Sequence, residues 1–176
     1  MKKFLLLLLI SGTICSQDIE DVWTVEKDDT VIFASVNGKI TYGDKLIFMF
    51  TKNYPCDKPM WITSFYTTQP DLEKKFDQLP TKYLYATLND TAETYFTIIK
   101  NSPFLLGYSS QLIIGQYPIK NIQESFGMLD EISVELTGIP KSDLDIKSIY
   151  DITRNTFSTK NLNEALEQAK TECLKL

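Results

Sequence analysis

The chain opens on a leader, and only two cysteines lie beyond it. Lys2 and Lys3 form a short positive region, Phe4 to Ile10 is an unbroken apolar run, and Ser11, Gly12 and Thr13 lead to Cys15 and Ser16. That is the pattern of a secretory signal peptide over residues 1–16. It predicts a periplasmic or secreted product, working where thiols oxidise. Cys56 and Cys173 then remain, an even pair in a chain with no histidine. Their pairing would staple positions far apart in sequence, with a stabilisation of ~4–5 kcal/mol from chain entropy. The alternative is two unpaired thiols, one of them buried and inert.

The leader's apolar run is shorter than the ~20 residues that span a bilayer, and no later segment reaches that length. No transmembrane segment is therefore expected in the mature chain. Cys15 raises a lipid anchor as the alternative to plain cleavage, but Ile14 stands where a lipidation motif wants a small residue. Residues 17–176 are read as one exported domain, long enough to bury a core. The chain carries −5 overall, and losing Lys2 and Lys3 takes it to −7, with Arg154 the one arginine. Such a surface has no electrostatic footprint for nucleic acid.

Strand patterns dominate the first half. Asp21 to Lys27, Val31 to Val36, Lys45 to Thr51, Met60 to Thr67 and Tyr83 to Leu88 are rich in β-branched and aromatic residues. Asn37-Gly38 is a tight-turn signal. The run Leu46-Ile47-Phe48-Met49-Phe50 predicts a central strand buried on both faces. Residues 54–59 form a loop pinned by Pro55 and Pro59, and Asp71 to Asp77 suits a short exposed helix.

The second half mixes helices in. Asp90-Thr91-Ala92-Glu93 has the form of a capping box, and Ala92, Tyr95, Phe96 and Ile99 share a helical face, which predicts a helix from Asp90 to Asn101 ahead of Pro103. Leu112 to Tyr117 reads as a strand. Asn121-Ile122-Gln123-Glu124 repeats the capping pattern. Ile122, Phe126, Leu129, Ile132 and Leu136 have helical spacing, while alternation over Ile132 to Leu136 equally fits a strand. Leu144 to Ile152 alternates and predicts a strand. Asn161 with Glu164 starts a final helix, whose apolar stripe is Leu162, Ala165, Leu166, Ala169 and Cys173. Together these predict an α+β fold: an antiparallel sheet or sandwich of six to eight strands, with the C-terminal helix packed on it and one disulfide.

The residue inventory removes much familiar chemistry. Without histidine there is no Ser-His-Asp triad and no Cys–His pair. Two distant cysteines do not supply a zinc set, and no metal or other cofactor is expected. The carboxylate pairs Asp28-Asp29, Asp130-Glu131 and Asp143/Asp145 read as turn and cap residues. A glycan hydrolase needs two carboxylates facing across a cleft, and adjacent pairs do not show that. Asn89-Asp90-Thr91 is a glycosylation sequon, read here as a helix cap. The remaining candidates are aromatic: Tyr54, Trp61, Tyr66, Tyr83 and Tyr85 crowd around the cysteine loop. Exposed, they form a binding surface; buried, they are core.

In order of elements the chain resembles the VasI/TagO-like periplasmic proteins associated with type VI secretion. The resemblance runs from Trp23 ahead of Asp28-Asp29-Thr30, through Lys45-Leu46-Ile47-Phe48 leading to Cys56, to a helix near Ser125 to Leu136. It closes on Phe157-Ser158-Thr159 and the helix from Leu162-Asn163-Glu164-Ala165-Leu166 to Cys173. It implies a non-catalytic accessory role in the bacterial envelope, through a protein partner. An exported inhibitor or immunity protein against a cell-wall enzyme or toxin, and a carboxylate-based glycan hydrolase, are the alternatives. The oligomeric state is left open.

Overall fold

A computed structural model describes residues 21–41 and 43–176. Residues 1–16, read above as a signal peptide, lie outside the described residues, Cys15 among them. Nine antiparallel strands form one sheet: β1 (Thr24–Asp28), β2 (Val31–Asn37), β3 (Lys45–Thr51), β4 (Met60–Thr67), β5 (Tyr83–Leu88), β6 (Ala92–Phe104), β7 (Gly107–Gln116), β8 (Glu131–Gly138) and β9 (Arg154–Ser158). Helices α1 (Leu72–Asp77), α2 (Ile119–Phe126) and α3 (Leu162–Cys173) complete it. The spatial order is β1-β2-β3-β4-β7-β6-β5-β8-β9.

The sheet is a curled half-barrel rather than a sandwich. Its two ends approach one another along a seam. Gly38, just past β2, bridges to Phe157 of β9. The Lys39 N–H donates to Thr156 O at 2.9 Å, and the Trp23 indole donates to Ser158 O at 2.7 Å. The concave face holds the core, with Ile32, Leu46, Phe48, Phe65, Phe96 and Phe157 fully buried. Helix α3 lies against β1, β2 and β3, with Leu162, Ala165, Leu166, Ala169 and Cys173 buried. Cys173 is bonded to Cys56, as expected from compartment and position. Among the described residues no helix is long and apolar enough to cross a membrane.

Several sequence expectations give way to tertiary context. Residues 92–104 form strand β6, not a helix. Asn89 and Asp90 both take positive φ, 50° and 60°, and reverse the chain into a β5–β6 hairpin. Asn and Asp tolerate that region well, so the apparent capping box is turn chemistry. Thr94, Thr97, Ile98 and Ile99 favour a pleated surface, and burial of Phe96 and Ile98 but not Tyr95 and Thr97 follows a period of two. The helix near 122 ends at Phe126, and the alternating reading of 132–136 is the one realised, as β8.

Leu144 to Ile152 is not a strand. Asp145 accepts from the Lys147 N–H at 2.9 Å and opens a single 3₁₀ turn, Ile146–Ser148. Burial of Ile146, Ile149 and Tyr150 has that turn's spacing. Asn37-Gly38 is no two-residue turn, because Gly38 is spent on the seam. There a Cβ would lie 2.4 Å from the Asn155 amide. Strand β3 is central, but only Leu46, Phe48 and Phe50 are buried. Helix α3 begins as expected, yet Asn161 contributes a left-handed φ of 62° and no side-chain cap.

Candidate functional site

The five aromatic candidates do not form one surface. Tyr54 is exposed in the loop beside Cys56. Tyr66 is half-buried on the convex face, edge-on to Phe104. Tyr83 and Tyr85 stand exposed on the convex face of β5, and there they gain a partner missed in the sequence. Tyr95 of β6 sits directly opposite Tyr85, ring centroids 5.2 Å apart, and is 59 % exposed. A helix over residues 90–101 would separate this pair, whereas the period-two alternation over 93–98 brings it together. Beyond Thr97, which pairs with both Tyr83 and Ile113, the same face carries half-buried Ile113 of β7, buried Ile62 of β4 and half-buried Ile47 of β3 as cross-strand neighbours.

Trp61 goes the other way. It is 3 % exposed and packs on Phe48, Tyr117 and Phe126, with centroids at 5.6, 6.2 and 5.2 Å. It also forms part of the wall of a cleft of about 470 Å³ between the β5–β6 turn, the end of β7 and α2. The cleft has local causes. A register shift in the β4–β7 ladder falls between Trp61 and Ile62, next to Gly115, whose φ is 151°. Such a bulge re-aims side chains. A Cβ on Gly115 would stand 3.0 Å from the Tyr117 ring, so glycine lets Tyr117 close on Trp61. Pro118 then stops β7 and opens α2, whose first N–H, on Ile119, donates to Asp57 O at 2.9 Å in the cysteine loop.

The cleft has two zones. Trp61, Ile114, Ile122 and Phe126 are buried apolar residues that face it, with Tyr117 partly exposed beside them. Thr91, Glu93, Thr94, Asn121 and Ser125 supply the polar lining. Among the described residues Glu93 is the one charged residue in its lining, and no lysine or arginine joins it. The Trp61 indole Nε1 is buried and has no acceptor among the described residues. A buried donor left in that state carries a penalty of ~1–3 kcal/mol.

A second polar centre lies at the seam. Asp44 is 1 % exposed. It accepts from the Asn155 Nδ2 at 2.7 Å and from the Tyr66 N–H at 2.5 Å. The Asn155 Oδ1 accepts in turn from the Ile40 N–H at 3.0 Å. Burial pushes the Asp44 carboxyl up to about 7, against those hydrogen bonds, which lower it. Both carboxylate oxygens are thus engaged in joining β4, β9 and the β2–β3 connection. Arg154 links the two regions: it pairs with Asp90 at the hairpin turn and with Glu135 of β8. Its guanidinium holds the Asp90 carboxyl below the usual carboxylate range.

Among the described residues no group of three or more His, Cys, Asp or Glu side chains is placed to hold a metal ion. Comparison of the chain with protein-family models, with curated proteins and with solved structures finds no match.

Proposed function

We propose that the chain is a non-catalytic exported binding domain of the bacterial envelope that engages a protein partner through the convex face of the β5–β6 hairpin. The observation that carries this reading is the exposed group Tyr83, Tyr85 and Tyr95. Tyrosine anchors with large rigid faces are enriched where partners bind. Solvated antiparallel faces ordinarily carry polar residues, yet here three large tyrosines stand exposed on one hairpin face. The leader pattern and the resemblance in element order to secretion-accessory proteins point the same way. Glycoside hydrolysis takes two facing carboxylates, and the cleft wall offers Glu93 alone.

The test is capture from the native envelope fraction with the oxidised protein and with a Tyr83→Ser/Tyr85→Ser/Tyr95→Ser variant. A stoichiometric partner that survives moderate salt and is lost with the variant is the expected result. No partner, or one held equally by the variant, overturns the reading. The acidic charge favours a second reading, an inhibitor of a basic cell-wall enzyme. That reading expects inhibition of a lysozyme-type or amidase-type enzyme at micromolar concentration, and its absence removes it.

A further inference from the structure

We propose that the cleft between the β5–β6 turn and α2 binds a neutral N-acetylated sugar, with the acetamido group against Trp61 and the ring hydroxyls at the polar lining. This does not rest on the tyrosine face or on a protein partner.

The inner zone asks for a small apolar group that also carries an acceptor. Its buried residues are Trp61, Ile114, Ile122 and Phe126, and the Trp61 indole N–H is a buried donor without an acceptor. An acetamido group meets both demands, through its methyl and through its carbonyl oxygen, which reaches the sealed Nε1 once the Trp61 ring or its neighbours shift to admit it. A plain hexose offers no such methyl.

The polar lining asks for hydroxyls. The exposed side chains of Asn121 and Ser125 on α2 and of Thr91 on the hairpin, with Thr94 beside them, supply hydroxyl and amide groups, while Glu93 alternates toward the face of Tyr95 and stands at the rim. Tyr117, 39 % exposed, gives a face for the C–H side of a pyranose. Charge sets the remaining limit. With Glu93 at the rim, no cation on the wall among the described residues and an acidic chain overall, an anionic sugar is disfavoured. The volume, about 470 Å³, lies within the range of small-molecule sites, ~300–1,000 Å³.

Nuclear magnetic resonance on the ¹⁵N-labelled oxidised protein reads the contact directly. The chain has two tryptophans, so two indole N–H signals are expected, and Trp61→Phe assigns them. The Trp23 indole, already bonded to Ser158 O, is the internal reference. N-acetylglucosamine and its β-1,4-linked dimer should move the Trp61 signal saturably and leave the Trp23 signal in place. Glucose should leave both, and N-acetylmuramic acid should bind about tenfold more weakly than N-acetylglucosamine. Trp61→Phe keeps the ring and removes the donor, and should weaken binding about five- to tenfold, the worth of one hydrogen bond. Tyr117→Ala removes a partly exposed wall and should weaken it as well, which gives a second variant that keeps the indole donor while removing a ring packed edge-on against it. A Trp61 signal unmoved by both sugars at millimolar concentration overturns the proposal. So does an equal response to glucose, or a response to apolar peptides in place of the sugars.

Discussion

The two tryptophans pack on the same phenylalanine and end in opposite circumstances. Trp23 and Trp61 lie 5.3 and 5.6 Å from Phe48, ring centroid to ring centroid. They are 5 % and 3 % exposed. At the seam, the Trp23 N–H has Ser158 O at 2.7 Å. At the cleft, the Trp61 N–H has no acceptor among the described residues. Burial is similar, and although Trp61 also packs on Tyr117 and Phe126, the polar difference lies in hydrogen bonding. The seam matches donors with acceptors across long sequence separations, because its task is to hold the ends of a sheet together. The cleft wall leaves a buried donor unmet, which a fold tolerates only at a cost.

Changes at the seam should therefore cost stability, and changes at the cleft should cost binding. The largest effect tests the frame common to both. Reducing Cys56–Cys173, or replacing Cys173 by Ala, should lower unfolding free energy by about 4–5 kcal/mol, as the chain-entropy treatment gives for so long a loop. Denaturant midpoints with and without reductant measure it, and a shift under about 1 kcal/mol would mean that α3 is held by packing alone.

Asn155→Ala breaks the seam by removing a partner from buried Asp44. At pH 8 the cost should be about 3 kcal/mol, because an ionised carboxylate loses a donor. At pH 5 the cost should be smaller, because Asp44 is then protonated. The parent protein carries the same signature. The folded carboxyl sits at about 7 against an ordinary 3.8, so the folded chain binds the proton more tightly than the unfolded chain. Stability from this group is full below about pH 4 and is lost as pH rises through 7, by roughly 4 kcal/mol at most. Denaturant titrations at pH 5 and 8, on parent and variant, check both signs.

The tryptophans give the sharpest contrast at intermediate size. Trp23→Phe loses a made hydrogen bond and strands Ser158 O, whereas Trp61→Phe loses no bond at all. Trp23→Phe should be the more destabilising by about 1–2 kcal/mol. Equal costs would erase the distinction between the regions. The smallest effect is expected where they are linked on the surface. Arg154→Ala should cost under about 1 kcal/mol, as exposed ion pairs do. A larger loss in thermal unfolding would show that the hairpin turn depends on the seam.

Much of the frame was legible before the fold. Strand runs near 31, 45, 60 and 83 stand where alternation and β-branched residues put them, and the apolar stripe ending in Cys173 marks α3. What failed is informative about why. Asp90-Thr91-Ala92-Glu93 satisfies a capping pattern locally, and only the pairing of Tyr95 with Tyr85 and of Phe96 with Leu84 makes it a hairpin. The stretch 144–152 alternates by composition, yet Asp145 caps a turn there. The cleft was not legible, because its walls come from β4, the β5–β6 hairpin, β7 and α2. Trp61 was singled out for its aromaticity, but which side of the sheet it took, and its open N–H, depend on a bulge opposite Gly115.

The bond between Cys56 and Cys173 also fixes how the molecule answers to force. It spans a sequence separation of 117, and β4 to β9 with all three helices lie inside the covalent ring. Strands β1, β2 and β3 lie outside it. A pull applied on either side of the bond runs through the sulfurs and bypasses everything between them, so among the described residues it draws out those three strands and the last residues after Cys173. The cleft lies within the shielded ring, apart from the load path. A tethered copy under tension would thus shed its first hairpin and β3 while its aromatic cleft stayed inside an unbroken loop.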